Sequence, residues 1–118
     1  MGNWYKSKPI DVGGTIKNAV PKACGMKTHQ AHLVRKGSSE KSQKSQSNGS
    51  LMAITPLSIW CFRLKPAQVV QAIHEYTILI HPNETVALCN TLYTLVLHYL
   101  LNHPSDENKR RAAYNFAK

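Results

Sequence analysis

The chain has 118 residues, 42% of them hydrophobic, and a formal net charge of +9. That length suits one modest core and leaves little room for a second. Fifteen Lys and Arg against six Asp and Glu exclude an acidic surface and point to polyanionic partners: nucleic acid, an anionic membrane or an acidic protein.

The start, MGNWYKSK, puts Gly2 directly after the initiator methionine, the acceptor position for N-myristoylation, although Lys6 stands where that motif wants Ser or Thr. Residues 1–50 hold +7 of the net charge, through Lys6, Lys8, Lys17, Lys22, Lys27, Arg35, Lys36, Lys41 and Lys44 against Asp11 and Glu40. Ile10, Val12, Ile16, Ala19 and Val20 could line one face of a short helix, which Gly13, Gly14 and Pro21 oppose. Cys24, His29 and His32 lack a fourth ligand at zinc-finger spacing, so no metal is expected there. The three cysteines, Cys24, Cys61 and Cys89, have no paired spacing and fit a reducing compartment. Residues 37–50, GSSEKSQKSQSNGS, contain no aliphatic or aromatic side chain and are expected to be a flexible loop.

Residues 51–64 are apolar enough for a helix, provided Pro56 lies in its first turn. Pro66 suits the first turn of the next helix, where Val69, Val70, Ile73, Tyr76, Thr77 and Ile80 recur at spacings of three and four, and Pro82 ends it. Asn83 is placed to cap a third segment with Glu84 in its first turn. Twelve of the sixteen residues from Val86 to Leu101 are apolar, on nearly every face, which predicts a central helix. That stretch is too short and too polar, with Asn90, Thr91, Thr94 and His98, to span a bilayer. Pro104 stops it, and Ser105 is expected to cap a last helix with Asp106 and Glu107 in its first turn. The expected fold is all-α: a single domain over residues 1–118, a compact bundle of four to five helices. Its first part, residues 1–50, is basic and loop-rich, and residues 51–118 form the helical core.

Catalytic signals are missing at this level. There is no Gly-rich phosphate loop after a strand, no nucleophile elbow and no paired carboxylates, so an enzyme is not expected. The Met-Gly-Asn start, the basic first half, the segment NGSLMAI and the helix NETVALCNTLYTLVLHYLLN together resemble the matrix domain of lentiviral (retroviral) Gag polyproteins. Gly49, Leu51, Ala53 and Ile54 match an early core segment of that family, and Ala87, Leu88, Asn90, Thr91, Leu92, Leu100 and Leu101 match a later helix. Met52 stands where the family usually has Trp, Pro56 interrupts the early helix, and the Ser-Gln-Lys loop reads as an insertion.

The resemblance implies a structural viral matrix protein, the N-terminal part of Gag. Such a protein is carried to the inner plasma membrane by covalent myristate on Gly2 and a basic patch, with no other cofactor. The matching patch is Lys6, Lys8, Lys17, Lys22, Lys27, Arg35 and Lys36, acting on phosphoinositides, with RNA as a competitor. Trp4 and Tyr5 could rest at the lipid interface or pack on the bundle. The implied partners are the anionic inner leaflet, the envelope glycoprotein tail and a homotrimer, and the implied locations are the virion, the cytoplasmic face of the host plasma membrane and the host cytoplasm. One myristoyl chain gives a binding constant of only about 10⁴ M⁻¹, and each nearby cation adds about 1 kcal/mol, so the two features would act together. The alternative is a small basic helical RNA-binding module that uses the same lysines on phosphates.

Overall fold

The computed structural model describes residues 6–19 and 31–118. Six α-helices occur among them and no strand: α1 (Gly14–Ala19), α2 (Ala31–Ser42), α3 (Thr55–Trp60), α4 (Pro66–Ile80), α5 (Glu84–Asn102) and α6 (Lys109–Ala117). The all-α class therefore holds. Single turns of 3₁₀ helix, Leu51–Ala53 and Cys61–Arg63, flank α3. The molecule is elongated, 48 × 27 × 26 Å, where a compact bundle was expected.

The stretch 51–64 is thus three short pieces and not one helix. Pro56 sits in the first turn of α3, where its missing N–H costs nothing. Leu64 N donates to Cys61 O at 2.9 Å, and Leu64 then turns to extended backbone (ψ 157°) ahead of Pro66. In α4 the buried positions Val69, Ile73, Thr77 and Ile80 keep the predicted spacing, and Lys65 N donates to the Gln68 side chain at 3.1 Å to close its start. Asn83 caps α5 as predicted, its Oδ1 accepting from Val86 N at 3.2 Å, with Glu84 in the first turn. Ile54, Cys61, Val69 and Ile73 are fully buried together, with Leu51, Leu57, Leu64, Ala72, Tyr76 and Leu95 packed around them.

Two expectations are corrected. The loop expected at 37–50 is helical as far as Ser42. Order there comes from polar contacts in place of aliphatic burial: buried Ser38 Oγ donates to Leu79 O at 2.9 Å, and buried Ser42 Oγ accepts from Asn18 Nδ2 at 3.2 Å. Residues 43–50 have no regular structure but are tied down, since Asn83 Nδ2 donates to Gln43 O at 2.9 Å and the His81 ring bonds Ser45 O at 2.8 Å. The last helix starts at Lys109 and not after Ser105, because Asp106 Oδ1 accepts from Asn108 N at 2.8 Å and holds a turn open there.

Truncating Ile73, which has no exposed surface, removes the centre of this cluster. Ile73→Ala is expected to destabilise the fold by about 2–5 kcal/mol, read as a lower urea midpoint with little change in slope. Burial pushes the Cys61 thiol up from its ordinary range, while Cys89 is exposed. Alkylation mapped by peptide mass should therefore label Cys89 at least roughly tenfold faster than Cys61, until urea removes the difference.

Candidate functional site

Four polar residues of α5 stand at successive spacings of four: Asn90, Thr94, His98 and Asn102. One helix ridge carries them, and each is bonded to the segment 50–64. Asn90 Nδ2 donates to Ser50 Oγ at 3.1 Å, Thr94 and Ser58 hydroxyls meet at 2.8 Å, the His98 Nε2 donates to Leu64 O at 2.9 Å, and Asn102 Nδ2 donates to Phe62 O at 2.8 Å. Ser58 Oγ donates onward to Ile54 O at 3.1 Å, so Thr94 is the donor in its pair with Ser58.

The chain around Asn90 has one consistent set of donors. Thr77 Oγ1 donates to Ile73 O at 2.8 Å and accepts from Asn90 Nδ2 at 2.8 Å. Ser50 accepts the other Asn90 proton, which leaves its own hydroxyl to donate to His81 Nδ1 across 3.5 Å. His81 Nε2 faces the Ser45 carbonyl at 2.8 Å and so carries the ring proton. Ser50, Thr77, His81 and Asn90 have no exposed surface, and Asn90 Oδ1 is a buried acceptor left without a partner. Burying these groups is tolerable only because nearly every one is paired. The result is a turn at 48–50 fixed from beneath.

Beside that turn Ser47 and Asn48 are exposed. Gly49 lies against α1: a Cβ there would come within 3.2 Å of Thr15 Oγ1, which itself bonds Ser47 Oγ at 3.1 Å. Lys17, two residues after Thr15, lines a depression of about 360 Å³ with Lys8, Ile10 and Asp11. Lys8 has left-handed backbone (φ 53°), a conformation costing roughly 1 kcal/mol for a lysine.

The cations singled out from sequence divide accordingly. Gly2, Trp4, Tyr5, Lys22, Lys27, Cys24 and His29 lie outside the described residues. Lys6 and Lys36 are exposed. Lys8 and Lys17 line one depression, and Arg35 lines a separate groove with His32, Glu75 and Tyr76. Among the described residues, no group of three or more His, Cys, Asp or Glu could hold a metal, and no helix is long and apolar enough to cross a membrane.

A model of the ADP-ribosylglycohydrolase family matches residues 1–118, so the chain belongs to that family. A protein of Acanthamoeba polyphaga mimivirus named as an ADP-ribosyl glycohydrolase is 29% identical to it over 110 residues, covering 89% of this chain and 32% of its own length. The chain spans about a third of the length of that relative. No solved structure matches.

This membership overturns the resemblance to a Gag matrix domain, and with it the structural matrix role, the myristate and membrane reading, and the phosphoinositide and envelope-tail partners. The RNA-binding alternative and the expectation of a non-enzyme fall with it, because the family is one of hydrolases. The shared motifs were packing motifs. NGSLMAI contributes Ser50 and Ile54, and the Asn-Thr-Leu triplet contributes Asn90, all inside the protein.

Sequence reasoning missed the buried polar chain, although a signal was present. Ser38 and Ser42, Thr77 and His81, and Asn90, Thr94, His98 and Asn102 all recur every four residues, which puts each set on one helix face. Asn90→Ala should lower stability by about 1–3 kcal/mol and speed amide exchange at Gly49 and Ser50 more than at Val69, measured by hydrogen exchange. Burial also raises the Tyr76 phenol above its ordinary value. The neutral phenol is thus favoured by the fold, so its contribution is whole below the unfolded value of about 10 and is lost as pH rises from there through the higher folded value. Tyr76→Phe should flatten the alkaline fall in the urea midpoint.

Proposed function

We propose that the chain is the helical part of a hydrolase domain that removes ADP-ribosyl groups from modified acceptors. In that reaction the bond between the anomeric carbon of the terminal ribose and the acceptor's heteroatom breaks. Water supplies the hydroxyl to that carbon and the proton to the departing acceptor. The observation that carries the reading is the family match across the whole chain.

The site geometry supports a particular part in it. The turn at 48–50 presents backbone and the exposed Asn48 side chain on a support that cannot shift without breaking the Asn90 chain. A sugar diphosphate needs hydroxyl and amide partners together with positive charge. Ser47 and Asn48 are exposed and offer the first, and in this reading Lys8 and Lys17, which line one depression of the basic N-terminal part, supply the second. In this reading the chain's part is to bind and orient the ADP-ribosyl group. That accords with a chain spanning a third of its relative.

ADP-ribose titrated into the ¹⁵N-labelled chain should shift the amides of Thr15, Lys17, Ser47 and Gly49 to saturation, and Asn90→Ala should weaken that binding by about tenfold or more. Saturating shifts elsewhere with none at these residues would sink the assignment, as would a complete absence of binding.

A further inference from the structure

A second concave surface lies between α2 and α4, away from the turn. His32 and Arg35, three apart on α2, face Ala72, Glu75, Tyr76 and Leu79, which follow at spacings of three, one and three along α4. Ser38 Oγ, bonded to Leu79 O at 2.9 Å, pins one end of this groove, whose volume is about 600 Å³. Ser38 is fully buried, so the two helices are held at a fixed separation there. The volume lies in the range of small-molecule sites, and the walls combine apolar and aromatic surface with a few polar groups, as such sites do.

We infer that this groove is a second, non-hydrolytic binding site for an adenosine diphosphate group. The half-buried Tyr76 ring with Ala72 and Leu79 gives an apolar wall for the base. Arg35 supplies a planar fork of donors for phosphate oxygens, and His32 stands one turn away on the same face of α2. Glu75 is an acceptor for the exocyclic amine or a ribose hydroxyl. Its Oε1 already accepts from Gln71 Nε2 at 3.1 Å, which leaves further lone pairs. Glu75 also opposes the anionic end of the ligand, so the diphosphate must lie along α2 and the base along α4.

The choice of nucleotide rests on the proposed hydrolase reading, since ADP is the part of an ADP-ribosyl group remote from the bond that breaks. The groove would then hold a substrate bearing more than one such group, or return ADP-ribose product to the protein as a regulator.

The test is a calorimetric and ¹⁵N NMR titration of the whole chain with ADP, adenosine and inorganic pyrophosphate. ADP should shift Arg35, Ala72 and Tyr76, and should bind more tightly than adenosine or pyrophosphate. Arg35→Glu should weaken ADP at least tenfold, while Lys36→Glu, at an exposed neighbour outside the groove, should change it less than twofold. Glu75→Gln should loosen ADP and adenosine while leaving pyrophosphate unweakened. The inference fails if ADP leaves these residues unshifted, if pyrophosphate binds as tightly as ADP, or if Lys36→Glu matches Arg35→Glu. Because the readout is ADP binding at α2 and α4, it stands apart from ADP-ribose binding at the turn: either can fail while the other holds.

Discussion

The ridge of four polar side chains on α5 sets the rest of the structure. Asn90, Thr94, His98 and Asn102 each reach across to the segment 50–64, which has no helix longer than six residues. Isolated helices of that length do not form in water, because the cost of nucleation is never recovered. The bonds to α5 supply what local propensity cannot. Each ends on a hydroxyl or a backbone carbonyl of that segment, and at fully buried Ser50 and Ser58 a lost partner would cost more than a made bond returns. Register follows from this: a slip of one residue along α5 would strand all four partners together.

The same ridge explains an inversion in α5. A helix apolar on nearly every face was expected to run through the middle of the domain, and no inward polar ridge was expected on it. Instead Asn90, Thr94 and His98 face inward, while Leu88, Leu92 and Leu101 are 59%, 38% and 44% exposed. Trp60 and Met52 are exposed as well, at 71% and 74%.

Much of the helical core was legible because its signals are local. Pro56, Pro66 and Asn83 mark helix starts through geometry that a single residue imposes, and Val69, Ile73, Thr77 and Ile80 mark a face through period alone. What failed depended on partners far along the chain. Ser38 orders α2 through Leu79, 41 residues away, and His81 holds Ser45 from 36 away. Composition gave residues 37–50 no means of ordering themselves, and the means came from α4 and the start of α5. The candidate site was less legible still. Lys8 and Lys17 were named as members of one long basic patch, but only the fold decides that they line one depression while Arg35 lines another groove.

The mistaken family resemblance has the same root. Short apolar motifs report how helices pack, and helices that bury an Asn beside a Thr and a Leu meet a similar demand in unrelated proteins. In this chain the Asn of that triplet is a buried hub, donating to Ser50 and Thr77 at once. Its neighbours Thr91 and Leu92 lie toward the outside. Had the triplet marked a continuous apolar core, Leu92 would be buried and Asn90 would sit at a helix end. Burial instead follows the four-residue period of the polar side chains, a packing rule specific to this fold and silent about function.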